Sequence, residues 1–228
     1  MEKRRVSVRT LVETVMLSGS LSATASSARL LDGIRGHQAL QAIEADGAKN
    51  EVSVSGTVSS EHIELTVYGR IDRLYGDSRV EEIKTTYLAP ERLAPGDPLH
   101  WAQAKCYAFL LCESAQLAQI DVSLTFFHLV TGEITSLTEP YTRESLAEFY
   151  LLLTRRYVDL LETEFVHDCA LRQDVRQMAF PFPAFRAGQH ELASQVYYAI
   201  REKSALLAQA PTGTGKTMAV LFPALKAL

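Results

Sequence analysis

The eight residues Ala210-Pro211-Thr212-Gly213-Thr214-Gly215-Lys216-Thr217 constrain their surroundings more than any other part of this chain. They fit the phosphate-loop pattern of a small residue, four variable positions and then Gly-Lys-[Ser/Thr]. Small residues let successive backbone N–H groups wrap a phosphate. The lysine reaches the β- and γ-phosphates of a nucleotide, and the last hydroxyl ligates Mg²⁺. Such a loop calls for a strand before it and a helix after it. Ala205-Leu206-Leu207-Ala208 reads as that buried strand, and Met218 to Leu228 as an apolar helix. Thr212, Gly213, Thr214, Gly215, Lys216 and Thr217 are therefore candidate nucleotide-binding residues. An ATPase also needs a second carboxylate and a water-positioning group further along, and too little chain follows to hold them. The expectation is the front end of a larger ATP-driven protein, with something else before it.

What precedes the loop is long enough for one domain. The chain has 228 residues, 47% of them hydrophobic and 22% charged, as in a soluble globular protein. The net charge of −4 gives no global basic field, so any nucleic-acid contact must be a local groove. Cys106, Cys112 and Cys169 lack the spacing and even count of a disulfide or metal framework. Three thiolates also fall short of the four that an iron–sulfur cluster takes, so no such cluster is expected in this segment. Met1-Glu2-Lys3-Arg4-Arg5 is charged, but no apolar run follows it and no stretch approaches a membrane span. The expected setting is cytoplasmic, without a membrane partner.

Periodicity predicts the elements. Ser7 can cap a short helix through Leu17, and a second helix runs from Ser26 or Ser27 to about Ala45, stopped by Gly47. Glu51 to Val58 and His62 to Ile71 alternate with period two, and Arg79 to Thr86 is a third strand. A loop with Pro90, Pro95 and Pro98 leads to a helix from His100 to about Gln116. Ile120 to Leu129 and Glu133 to Leu137 form a hairpin around Thr131-Gly132. Tyr141 to about His167 is a long amphipathic helix. The order implies an α/β fold with one mixed central sheet flanked by helices. Domain boundaries are expected at 1–176, with a Pro-rich linker at 177–184 and the phosphate-loop segment at 185–228.

The second informative constellation is Gly69-Arg70-Ile71-Asp72-Arg73 followed by Glu82-Ile83-Lys84. Glu82 and Lys84 are two apart on a strand and share a face. If Tyr75 pairs with Arg79 across the Gly76-Asp77-Ser78 turn, Asp72 stands opposite Glu82. Two opposed carboxylates repel, and a divalent cation would remove that conflict. Lys84 beside them could orient a water or take the charge developing on a phosphate. A solvated edge with ordinary Glu/Lys pairs is the competing explanation. His37 lies in the second helix. Gln103 and Tyr107, four apart, point to one side of the helix that follows.

Taken together, these residues resemble the RecB-like branch of the PD-(D/E)XK nucleases over roughly residues 5–170. That family has a helical His, an Asp after a G-x-x-D turn, E-x-K on the next strand and a Q-x-x-x-Y helix. His37, Asp72, Glu82 with Lys84, and Gln103 with Tyr107 follow that order. The resemblance implies a restriction-endonuclease-like sheet and Mg²⁺ or Mn²⁺ bound by Asp72, Glu82, the Ile83 carbonyl and His37. It also implies a water assisted by Lys84, and Gln103 and Tyr107 lining the site against DNA. Glu51 sits where some relatives carry another acid. Phe185-Arg186-Ala187-Gly188-Gln189 resembles the F-R-x-G-Q segment of XPD/DinG-type superfamily 2 helicases. There Arg186 and Gln189 would lie near the adenine of ATP, since an amide matches that edge.

The resulting expectation is a metal-dependent DNA nuclease domain joined to an incomplete helicase fragment. Single-stranded or flapped DNA is the expected substrate, and repair or recombination the setting. Three alternatives stand beside it. The nuclease fold could be a silent DNA clamp, the hairpin could be purely structural beside a nucleotide-binding loop, or the chain could be an inactive piece that self-associates through apolar residues of 218–228.

Overall fold

The computed structural model describes residues 1–16 and 47–227. The predicted second helix, with His37 in it, lies outside the described residues. Two compact units divide the chain, residues 1–162 and 163–228. Among the described residues no helix is long and apolar enough to cross a membrane.

The first unit is a mixed α/β layer built on one six-stranded sheet. Strand β1 (Glu2–Ser7) leads directly into helix α1 (Val8–Met16). Then come β2 (Ala48–Ser59), β3 (Ile63–Tyr75) and β4 (Arg79–Thr86). Helix α2 (Pro98–Ala115) separates them from β5 (Gln119–His128) and β6 (Ile134–Thr142). Helix α3 (Arg143–Gln177) follows and crosses from the first unit into the second. The core is apolar, with Leu11, Ile63, Leu65, Val67, Ile71, Val80, Ile83, Leu124 and Leu146 almost wholly buried.

Most elements fall where periodicity put them. Ser7 caps α1 as expected, its hydroxyl accepting from the Thr10 N–H at 3.0 Å. Asp97 caps α2 in the same way, accepting from Leu99 N–H at 2.8 Å, with Pro98 in the first turn. Gly132 takes φ +73° in the β5–β6 connection, where a side chain would be strained. Two differences matter. Strand β1 was not expected, because Glu2-Lys3-Arg4-Arg5 is charged throughout. It forms because β3 offers a free edge, and only Val6 of the strand is buried. Helix α3 runs further than the predicted His167, since residues 168–177 carry no Gly or Pro to stop it.

One topological detail positions the site. Strand β2 pairs antiparallel with β3 from Ala48↔Tyr75 to Ser59↔Glu64 and so takes up one whole edge of β3. The other edge is shared. Strand β1 runs parallel along Ile63 to Tyr68, and β4 runs antiparallel along Arg73 to Tyr75. Residues 69–72 pair with neither, which leaves a fork in the middle of β3. The last rung before the fork, Arg73↔Glu81, carries a buried ion pair of 3.4 Å. Thr125 donates to the Glu81 carboxylate at 2.6 Å and shares a 2.9 Å bond with Ser136.

The second unit holds α4 (Gln189–Arg201), α5 (Lys216–Lys226) and the C-terminal part of α3. The strand predicted at 205–208 does not form. Leu206 and Leu207 are exposed, and among the described residues of this unit there is no other strand to pair with them. A single extended segment with no ladder is not stable. Phe180 stacks on Phe185 at 3.9 Å and meets Phe222 edge-on at 5.3 Å, packing residues 180–185 against α5.

Candidate active site

The predicted pairing of Tyr75 with Arg79 is the observed register, and it sets Asp72 against Glu82. The backbone ladder, however, stops at Arg73↔Glu81. From there the Asp72 side chain takes over. Its Oδ2 accepts from the Ile83 N–H at 2.8 Å, where a β3 carbonyl would otherwise bond. In a strand the N–H and C=O of one residue leave from the same edge. The opposite edge of β4 faces β5, as the Thr86 carbonyl shows by accepting from Leu129 N–H at 2.9 Å. The Ile83 carbonyl is therefore directed into the fork, beside Asp72.

Lys84 and Arg70 both bring positive charge to the acidic pair. Lys84 Nζ donates to Glu82 Oε1 at 2.6 Å and lies 3.4 Å from Gln103 Oε1. Glu82 and Gln103 are only 4% and 5% exposed, whereas the Lys84 side chain keeps 26% exposure. Burial pushes the Asp72 carboxyl up to about 6. The Ile83 N–H bond and the Lys84 charge oppose that rise, and the Glu51 charge adds to it. Glu51 itself pairs with Arg70 at 3.0 Å.

Helix α2 lays Gln103 and Tyr107 against the fork. Tyr107 is 8% exposed and packs against Gly69. A Cβ at residue 69 would stand 2.3 Å from Tyr107 Cε1. The G-x-x-D sequence is thus no turn here. It is a strand segment whose glycine makes room for the tyrosine. Gly69→Ala is expected to push Tyr107 out of place and destabilise the fold by about 1–3 kcal/mol. A thermal melt checks this, and an unchanged melt would mean that the ring slides aside freely.

Two site residues were not anticipated. His100 stands three positions before Gln103 and seven before Tyr107, on the same face of α2. Its Nδ1 is buried and has no hydrogen-bond partner among the described residues. Burial, then the Lys84 charge, holds its pKa down to about 4. Arg9 on α1, bonded to Glu13 at 2.8 Å, is the second. Its charge acts weakly on Tyr107 and His100, and its side chain is exposed. Helical spacing from Gln103 could have found His100; nothing local in the sequence marks Arg9.

The structure therefore brings Asp72, Glu82, Ile83, Lys84, Gln103 and Tyr107 together. Among the described residues no group of three or more His, Cys, Asp or Glu side chains converges as a metal cluster. Two carboxylates and a carbonyl are nonetheless hard oxygen donors of the kind Mg²⁺ and Mn²⁺ take.

The phosphate-loop residues are held by one another. Lys216 Nζ donates to the Ala210 carbonyl at 3.1 Å and to the Pro211 carbonyl at 2.7 Å. Arg186 donates to the Gly213 carbonyl. Gln189 uses both ends of its amide: Oε1 accepts from Arg186 N–H and Nε2 donates to the Gly215 carbonyl, each at 2.9 Å. Thr214 donates to the Pro211 carbonyl at 2.9 Å, while Thr212 and Thr217 are exposed. A cavity of about 510 Å³ adjoins the loop, lined by Ala187, Gly188, Leu192, Gln195, Leu206 and Pro211 among others.

No protein-family model matches the chain. Over 46 residues it is 44% identical to a probable ATP-dependent helicase from Methanocaldococcus jannaschii, a match that spans 20% of this chain and 7% of that protein. In three dimensions the chain is similar to an alkaline exonuclease from Laribacter hongkongensis, at 15% identity and a TM-score of 0.47. That match covers 73% of this chain and 93% of the exonuclease. It is also similar to the solved structure of SSO0001, at 18% identity and a TM-score of 0.46, over 68% and 77% of the two chains.

Proposed function

We infer that residues 1–176 are a metal-dependent nuclease domain that hydrolyses phosphodiester bonds in DNA. In this reading residues 177–184 are a linker, and residues 185–228 are the beginning of an ATP-dependent helicase domain. The observation that carries the nuclease reading is the fork itself. There Asp72 accepts from the Ile83 N–H at 2.8 Å, and Glu82, the residue before Ile83, accepts from Lys84 at 2.6 Å.

Asp72, Glu82 and the Ile83 carbonyl would hold Mg²⁺ or Mn²⁺, with His37 as a further ligand outside the described residues. A divalent cation bound there supplies Lewis acidity that polarises a phosphate and acidifies water. The chain's own groups do the rest. Lys84, already fixed between Glu82 and Gln103, orients the attacking water and takes charge developing on the phosphate. Gln103 holds the lysine, and Tyr107 closes the site against Gly69. In the second unit, Lys216 and the 213–215 loop would bind ATP phosphates after exchanging their internal bonds. Arg186 and Gln189 are proposed to lie near the adenine. Single-stranded or flapped DNA as substrate, a repair or recombination role and a cytoplasmic setting are parts of the same proposal.

The test is calorimetric titration of the metal-free chain with Mn²⁺. Binding in the wild type that Glu82→Gln weakens severely is the expected result. Titration heats unaffected by Glu82→Gln would move the cation elsewhere and leave the fork structural.

A further inference from the structure

His100 is a half-buried residue whose Nδ1 atom is buried, and it lies on the helix face that serves the fork. Lys84 has three donors and no acceptor. In this structure two of those donors are directed at Glu82 Oε1 and Gln103 Oε1, at 2.6 Å and 3.4 Å. A cation that takes Glu82 as a ligand draws that carboxylate's charge away from the lysine. Lys84 then needs neutral acceptors to keep it in place, because its side chain is 26% exposed and would otherwise be left to water. Gln103 offers one. The Nδ1 of His100 is buried, without a partner among the described residues, and one helical turn from Gln103. A neutral imidazole whose Nε2 carries the proton has a lone pair on Nδ1, which is an acceptor and nothing else.

We propose that His100 is a positioning residue for Lys84: its Nδ1 accepts from the Lys84 ammonium when Glu82 turns to a bound divalent cation. The proposal rests on the nuclease reading, since it needs a cation at Glu82. It assigns His100 an Nδ1-specific role, and that makes it selective among substitutions. Asn places an amide oxygen near the Nδ1 position. Gln places its amide near Nε2, and Leu has no acceptor.

Cleavage of single-stranded DNA in saturating Mg²⁺ is measured for wild type, His100→Asn, His100→Gln and His100→Leu, with a thermal melt of each in EDTA. His100→Leu and His100→Gln are expected to lower kcat by about 10- to 100-fold with KM for DNA unchanged, while His100→Asn retains most of the rate. The melts should not fall, because His100→Leu removes a buried acceptor that has no partner. Equal rates in wild type and His100→Leu would overturn the proposal and leave the nuclease reading standing. So would a loss in His100→Asn as large as in His100→Leu. In parallel, nitrogen-15 lysine spectra of the Mg²⁺-saturated chain should show a Lys84 ammonium signal sharpened by hydrogen bonding in wild type and His100→Asn and lost in His100→Leu. This arm decides the matter if wild type binds Mg²⁺ without cleaving. Wild type that neither cleaves nor binds Mg²⁺ would overturn the nuclease reading and this proposal together.

Discussion

Asp72→Asn is expected to abolish metal-dependent cleavage and at the same time to stabilise the metal-free protein at neutral pH. The two effects share one cause. Asp72 is a buried carboxylate whose pKa stands at about 6 in the folded chain, against about 4 in an unfolded one. The folded state holds the proton more tightly, so what Asp72 contributes to stability is greatest below about pH 4. It falls between about pH 4 and 6 and stays low above that. The loss is on the order of 2–3 kcal/mol, since a tenfold difference in proton affinity corresponds to about 1.4 kcal/mol. Asparagine keeps an oxygen for the Ile83 N–H and carries no charge to desolvate. In EDTA at pH 7.5 the variant should therefore melt higher than wild type, and the gap should close as the pH falls to about 4. With Mn²⁺ present the variant loses a ligand, and its cleavage rate should drop by a factor on the order of 10³. Equal melts in EDTA at pH 7.5 would show that Asp72 is well compensated without a cation.

The second large effect lies one rung away, in the scaffold. Arg73→Met is expected to destabilise the first unit by about 3–5 kcal/mol, because it strands the Glu81 carboxylate in a buried site. Arg73 and Glu81 side chains are each 6% exposed and 3.4 Å apart. Arg73 Nε also donates to Asn50 at 3.2 Å, and Glu81 accepts from Thr125 at 2.6 Å. The network ties β2, β3, β4 and β5 together at the last rung before the fork, so it fixes where the Asp72 and Glu82 carboxylates stand. The double variant Arg73→Met with Glu81→Leu should recover most of the loss, since a buried pair replaced by apolar residues is often neutral. Urea unfolding of the single and double variants reads this directly. A single variant that unfolds within about 1 kcal/mol of wild type would mean that water reaches Glu81.

Much of this site could be read before the structure. The Asp72–Glu82 register followed from one turn, because a tight hairpin fixes every pair behind it. The helix carrying Gln103 and Tyr107 followed from its apolar run, although it starts at Pro98, two residues before the expected His100. What could not be read is where the ladder ends. Pairing rules continue β3 against β4 past Arg73, whereas the Asp72 side chain replaces the backbone there and opens the fork. Strand β1 was missed because its charged residues stand at an edge where only Val6 needs to be buried. The 205–208 segment was misread because local sequence marks a capacity for strand, and a strand needs a neighbour. His100 escaped notice because a lone histidine at a helix start looks like an ordinary surface residue until its neighbours are known. His37, in the predicted second helix, lies outside the described residues.

The central claim is that the fork cuts phosphodiester bonds with the help of a cation and Lys84. The most direct measurement is cleavage of end-labelled single-stranded DNA by wild type and Lys84→Ala, purified side by side, in Mn²⁺ and in EDTA. The account predicts products from wild type in Mn²⁺ alone, with Lys84→Ala silent while it still binds Mn²⁺. Cleavage by Lys84→Ala at the wild-type rate would contradict it, and so would a wild type that binds DNA equally well in EDTA and never cuts it.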